Sequence, residues 1–167
     1  MSNGQRNRTK PAFERSVRLV GRPPLVGVYR IIDANLNRVR EGLRVCEEVV
    51  RFLMDDAGLT KEFKNIRHAV MSITSESNAI DFKKLLMERE SDLDVGRKSS
   101  RDEAKRKDPF GIFEANIQRV KESMRVLEEF FKVVDKKPSE RFKRLRFRVY
   151  TLEKKACERF YTLRHNR

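Results

Sequence analysis

Arg38, Glu41, Arg44 and Glu48 follow one another at helical i, i+3 and i+4 intervals, and the series returns as Arg119, Glu122, Arg125 and Glu129. Such intervals bring side chains to neighbouring points on one helix surface. Guanidinium forks pair bidentately with phosphate and carboxylate oxygens are hard ligands for Mg²⁺, so this alternation suits phosphate chemistry. Taken alone, the series also fits a surface salt-bridge ladder worth about 0.2–0.5 kcal/mol per pair. Its recurrence favours function. Residues Asp33 to Leu53 reappear 81 positions later as Glu114 to Val134, sharing Ala34/Ala115, Asn35/Asn116, Arg38/Arg119, Val39/Val120, Glu41/Glu122, Arg44/Arg125, Val45/Val126, Glu47/Glu128 and Glu48/Glu129. Six of these nine pairs are polar or charged. A duplication kept for packing alone would hold its apolar stripe and let surface polar residues drift, because surface changes cost little.

A second echo, at offset 79, aligns Phe63, Lys64 and Arg67 with Phe142, Lys143 and Arg146. The repeated unit is therefore expected to be a pair of helices. Copies packed about a pseudo-twofold axis would bring guanidinium and carboxylate groups from both onto one site. The fold expected is all-α, an internally duplicated helical-hairpin bundle with pseudo-twofold symmetry. Residues 1–28 read as a basic N-terminal extension and 29–167 as a single helical domain, with repeats over about 29–90 and 109–167 and a loop over 91–108.

The periodicity predicts a first helix from about Asp33 to Asp55, opened by Asp33 as cap and ended before Gly58. A second runs from Leu59 to Ser75 with Thr60 as cap, and a third from Asn78 to Glu90. Asp108 and Pro109 open the second repeat as N-cap and first helical residue, and that helix runs to about Asp135. Pro138 and Ser139 start the last helix, with Phe142, Leu145, Val149, Leu152, Ala156 and Phe160 as its buried stripe. Asn35 and Asn116 fall within apolar arcs, where an amide without partners costs about 1–3 kcal/mol. A structural amide pinning the helix and a ligand contact are equally open readings. Gly42 sits mid-helix opposite its counterpart Ser123, and close approach of the two repeat helices at these residues is the expected cause. His68 is replaced by Phe147 in the other copy, which makes it a core-edge residue rather than a catalyst.

Composition narrows the classes further. The net charge of +14 lies at the ends: residues 1–30 carry seven Lys/Arg against one acid, and 136–167 carry twelve against three. The 105 residues between hold 20 basic and 21 acidic side chains, so a nucleic-acid-binding body is not expected. The longest apolar run is three residues, too short for a membrane span, and the basic start lacks the apolar core of a secretory signal. Two cysteines, Cys46 and Cys157, suit a reduced cytoplasmic protein. GxxxxGK[ST], GxGxxG, CxxC, HExxH and GxSxG are all absent, which leaves arginines, carboxylates and helix N-termini to do any chemistry.

The run Arg30 to Arg38, followed by Arg40 to Val45 and Glu47-Glu48, resembles the start of the small monofunctional hydroxymethylpyrimidine-phosphate kinases of thiamine biosynthesis. In that family the domain is often fused to the N-terminus of thiamine-phosphate synthase. The resemblance continues through Arg89-Glu90-Ser91 and Asp94-Val95-Gly96, then Ala115-Asn116, Arg119, Glu122, Arg125 to Glu129, Leu145-Arg146 and Tyr150 to Glu153. Glu90 stands where the family usually has Asp, and Arg97 where it has Thr. The resemblance implies ATP-dependent phosphorylation of 4-amino-5-hydroxymethyl-2-methylpyrimidine monophosphate to the diphosphate. With the chain ending at Arg167, the standalone form is expected.

Within that reading, residue chemistry nominates Arg38, Arg44, Arg119 and Arg125 to neutralise and align the reacting phosphates. Glu41, Glu48, Glu122 and Glu129 would hold Mg²⁺ or orient those arginines. Asn35 and Asn116 would read the pyrimidine edge, Asp94 and Gly96 belong to a lid over ATP, and Tyr150 would stack on a ring. Asp33, Arg67 and Arg146 complete the substrate-binding candidates. The expected ligands are ATP, Mg²⁺ and the pyrimidine substrate. Functional coupling to thiamine-phosphate synthase and a homodimer are the protein partners considered, with no membrane. A basic nucleic-acid binder and a non-catalytic scaffold are the alternatives, and neither accounts for Asn, Arg and Glu recurring in register.

Overall fold

The computed structural model describes residues 25–77, 80–89 and 108–165, and these contain helices and no strand. Five helices follow in order: α1 (Leu25–Phe52), α2 (Ala57–Ser75), α3 (Phe82–Met87), α4 (Pro109–Val134) and α5 (Lys136–His165). The four long helices close a ring. α1 packs on α4 and on α2, while α5 packs on α4 and on α2. The short α3 lies against α1. The fold is all-α, as the periodicity required.

Each long helix is defined by an apolar stripe at three- and four-residue steps. Val28, Ile32, Leu36, Val39, Leu43, Cys46 and Val50 form the buried side of α1. Phe113, Ile117, Val120, Met124, Leu127 and Phe131 do the same on α4. Rings cross the centre: Phe63 of α2 meets Phe113 of α4 edge to face at 5.9 Å, and Phe131 stacks on Phe142 of α5 at 5.3 Å. Phe160, expected in the buried stripe of α5, is half-buried and lies 5.6 Å from Phe113.

The helix ends differ from expectation in ways the side chains explain. α1 is already helical at Leu25, so Asp33 is interior rather than a cap, and its carboxylate receives Arg89 instead. Asp56, not Thr60, caps α2 by accepting the Leu59 N–H at 2.8 Å, while the Thr60 hydroxyl donates back to the Asp56 carbonyl. Asp81 caps the six-residue α3, which is shorter than the expected third helix. Asp108 caps α4 by accepting the Gly111 N–H at 2.8 Å, with Pro109 in the first turn, as expected. α5 begins at Lys136, ahead of Pro138, which its first turn tolerates. The two hairpins have unequal connections, residues 53–56 in one and Asp135 alone in the other. The connection is three residues shorter, and α4 runs one residue further than the counterpart of α1, so the echo falls from offset 81 in the first helix of each pair to 79 in the second.

Candidate functional site

The recurring charges divide into two groups with different surroundings. Arg44, Glu47 and Glu48, with Arg125, Glu128 and Glu129, form a network inside each hairpin. Glu47 is buried and accepts from Arg67 of α2, Nε at 2.9 Å and Nη2 at 3.4 Å, and from Arg44 Nη1 at 3.4 Å. Glu128 repeats this arrangement: Arg146 of α5 reaches it with Nε at 3.1 Å and Nη2 at 2.8 Å, and Arg125 Nη1 with 2.6 Å. Arg44 also pairs with Glu48 and Arg125 with Glu129, both at 2.8 Å. Burial works to lower the Arg146 pKa, but its hydrogen bonds to Tyr150 and Glu128 outweigh that and raise it. Glu129 is held below the usual carboxylate range by its hydrogen bond from Lys132, helped by the charge of Arg125. These arginines and glutamates tie each hairpin together. Glu48 and Glu129, nominated for metal, are engaged with arginine.

Arg38, Glu41, Arg119 and Glu122 lie elsewhere. At about 100° per residue, Ala34, Arg38, Glu41 and Val45 make one stripe along α1, and Ala115, Arg119, Glu122 and Val126 the matching stripe along α4. α1 turns Glu47 toward α2, and Gly42 and Cys46 toward α4. Its stripe points to neither. Each stripe is exposed, and at Glu122 the α4 stripe borders the cleft between α4 and α5. Arg38, Glu41, Arg119 and Glu122 are exposed, between half-buried Ala34, Val45, Ala115 and Val126.

The register across that seam follows from two contacts. A Cβ on Gly42 would meet Val120 Cγ2 at 2.7 Å and the Asn116 carbonyl oxygen at 3.0 Å. The Cys46 thiol donates to the Phe113 carbonyl at 3.8 Å. Rising numbers on α1 therefore meet falling numbers on α4, so the helices are antiparallel. Gly42 abuts Asn116 and Val120 rather than Ser123, as had been expected. Extending this register sets Arg38 level with Glu122, and Glu41 level with Arg119. Among the described residues, Arg38 and Glu41 enter no ion pair. Glu122 accepts from Gln118 at 2.8 Å.

The remaining nominated residues are scattered. Asn35 and Asn116 each donate their side-chain amide to the carbonyl four residues earlier, Ile31 and Ile112, at 2.8 Å. Asp33 takes both Nε and Nη2 of Arg89 at 2.8 Å, and those bonds, chief among the causes, push the Arg89 pKa up. Tyr150 and Arg146 line a cleft of about 390 Å³ between α4 and α5, with Gln118, Lys121, Glu122 and Arg125. Arg146 donates to the Tyr150 hydroxyl at 2.7 Å. Asp94 and Gly96 lie outside the described residues. Sequence reasoning left Glu47, Glu128 and Arg89 out of the site set, although Glu47 and Glu128 were among the nine shared pairs.

A family model described as the ThiD2 family matches residues 30–155. The chain belongs to the ThiD2 family. The thiamine-phosphate synthase of Thermosynechococcus vestitus is 41% identical over 125 residues, covering 74% of this chain and 34% of that protein. That of Synechocystis sp. is 40% identical over 127 residues, 75% of this chain and 35% of that protein. That of Rhodopirellula baltica is 33% identical over 124 residues, 74% of this chain and 32% of that protein. The chain thus spans about a third of the length of the curated relatives it matches. No solved structure matches it.

This ThiD2 chain gathers no group of three or more His, Cys, Asp or Glu among its described residues. A cage built wholly from protein ligands is therefore not what these residues form. Among the described residues no helix is long and apolar enough to cross a membrane.

Proposed function

We propose that this ThiD2 chain is a phosphotransferase of thiamine biosynthesis, an ATP-dependent kinase converting 4-amino-5-hydroxymethyl-2-methylpyrimidine monophosphate to the diphosphate. The observation that carries the reading is the Arg38, Glu41, Arg119 and Glu122 quartet across the α1–α4 seam. Its residues recur at matching positions on the two helices and are exposed, and Arg38 and Glu41 have no part in the ion pairs that hold Arg44, Glu47 and Glu48. The names of the relatives, thiamine-phosphate synthases, support the pathway, and the diphosphate is what such a synthase would consume, which is the basis for proposing functional coupling to it.

In the step proposed, an oxygen of the acceptor monophosphate attacks the γ-phosphorus of ATP as the bond to the leaving ADP oxygen breaks. The acceptor is already an anion, so no strong general base is required, and the protein's task is to bring two mutually repelling phosphates into line. Arg38 and Arg119, on opposite helices, would neutralise them. Mg²⁺ on the nucleotide would supply further charge neutralisation, with Glu41 and Glu122 as the residues to hold it. Gly42 lets α4 approach closely enough for both helices to serve one site.

Coupled measurement of ADP release with the pyrimidine monophosphate tests the reading. Turnover that requires the acceptor supports it. No turnover with acceptor, ATP and Mg²⁺ present would leave the non-catalytic scaffold as the better account.

A further inference from the structure

The charge that the proposed chemistry does not use is concentrated on α5. Residues 136–167 carry twelve Lys/Arg against three acids. Arg141, Arg146, Arg148 and Arg159 pair with Glu76, Glu128, Glu62 and Asp56 of the other helices and their connections. Lys136, Lys137, Lys143, Arg144 and Lys155 are exposed and enter no ion pair among the described residues, and Lys154 has only Glu158, at 3.8 Å.

At about 100° per residue these cations fall into two rows on the side of α5 turned away from its buried Phe142, Leu145, Val149, Leu152 and Ala156. One row runs Lys136, Lys143, Phe147, Tyr150, Lys154 and Tyr161, and the other Lys137, Arg144, Arg148 and Lys155. All are exposed, the three rings by 55%, 39% and 59%. The first row is about 38 Å long. The fold does not require it. α2 is the counterpart of α5 at offset 79, and there Ala57, Lys64, His68, Met71 and Ser75 stand for Lys136, Lys143, Phe147, Tyr150 and Lys154. Gly58, Asn65, Ala69 and Glu76 stand for Lys137, Arg144, Arg148 and Lys155. A helix in the same place in its hairpin thus does without the rings and without nearly all of this charge.

We propose that this face of α5 binds single-stranded nucleic acid, with Lys143, Arg144, Lys154 and Lys155 on backbone phosphates and Phe147 stacked on a base. Surfaces that hold single strands combine cations along the backbone with rings under the bases, and every base offers a π-face, so such binding tolerates any sequence. An acidic peptide would engage the cations and leave Phe147 and Tyr161 without a partner. A membrane surface takes up a helix through its apolar side, and that of α5 is already buried in the bundle. The inference is independent of the kinase reading, because it concerns a polymer and uses none of the residues given a role in phosphate transfer.

Fluorescence anisotropy of a labelled single strand of about 12 nucleotides, within the usual site size, measures the binding on the full chain. Saturable binding is expected, weakening as salt rises with a logarithmic slope of about −0.7 for each phosphate contacted. Lys143→Gln combined with Lys154→Gln should flatten that slope by about 1.4. Lys61→Gln combined with Lys64→Gln, at exposed lysines of α2, should leave it unchanged. Phe147→Ala should weaken binding roughly 5- to 100-fold, the loss of one stacked base, without moving the melting temperature. A duplex of the same sequence, whose bases are already stacked on one another, should bind less tightly than the single strand. Displacement of the strand by ATP would place it on the nucleotide site and overturn the proposal. Equal affinity for polyglutamate, or a Phe147→Ala chain that binds as tightly as the parent, would overturn it too, since either leaves only a patch of positive charge. So would the absence of binding at low salt, whatever the turnover assay shows.

Discussion

Arg146 clamps Glu128 through two guanidinium nitrogens, at 3.1 and 2.8 Å, on one carboxylate oxygen. The side chains are 13% and 5% exposed, so the pair is held largely away from water. Glu47 and Arg67 pair likewise in the other hairpin, there with one nitrogen on each carboxylate oxygen. Removing one member of a buried pair strands the other charge, at a cost of about 3–5 kcal/mol. Glu128→Ala is therefore expected to lower stability by about 3 kcal/mol, read from the midpoint of urea denaturation. Glu129→Ala, which removes an exposed partner of Arg125, should hardly move that midpoint. Equal losses in the two variants would show that Glu128 is no better sheltered than its neighbour.

Gly42 leaves no room for a side chain. A Cβ there would lie 2.7 Å from a Val120 methyl and 3.0 Å from the Asn116 carbonyl oxygen. The methyl can move, but the backbone oxygen is fixed within α4. Gly42→Ala is thus expected to destabilise by overpacking, about 1–3 kcal/mol, despite the higher helix propensity of alanine. Adding Val120→Ala should recover only the part due to the methyl. A Gly42→Ala chain as stable as the parent would mean that α1 and α4 do not approach so closely.

These two sites show what could be read from the sequence. The 3.6-residue stripes made the long helices legible, and recurrence marked Glu47 and Glu128 as paired positions. Their burial was not legible, because it depends on Arg67 and Arg146, respectively 20 and 18 residues away and on the following helix. Gly42 announced a close approach, yet setting it against its own counterpart Ser123 assumed that the crossing lies at that pair. The antiparallel register puts it against Asn116 and Val120 instead. The start of α1 was hidden for a different reason. Asp33 has the chemistry of a cap, but its acceptors are taken by Arg89, whose position on the far side of α3 no local pattern reveals.

The two groups of arginines should separate in kinetics. Arg38 is exposed and takes no part in the hairpin networks, so Arg38→Ala is expected to change stability by less than about 1 kcal/mol. If it grips transferring phosphate, turnover should fall by up to about 10³-fold, the scale of an arginine finger, with the helical circular dichroism unchanged. Arg44→Ala, which breaks bonds to Glu47 and Glu48, should instead lower the denaturation midpoint and spare most of the turnover. The opposite pattern would move the chemistry from the seam to the hairpin network.

Acceptor choice tests the same assignment from the substrate's side. On the proposed reading, Arg38 and Arg119 on facing helices would meet two phosphates, one from each reactant. The free hydroxymethyl alcohol would bring only one, leaving a guanidinium without the anion it is placed to meet. Sites built around a polar partner reject analogues lacking it by about 10⁴-fold or more. The monophosphate should therefore be phosphorylated and the alcohol essentially ignored, measured as ADP release under matched concentrations. Arg38→Ala should narrow that ratio, because the variant loses the group that distinguishes the two acceptors. Comparable rates on both acceptors with the parent chain would mean that the seam arginines do not define the acceptor site, and the roles given to Arg38 and Arg119 would fall together.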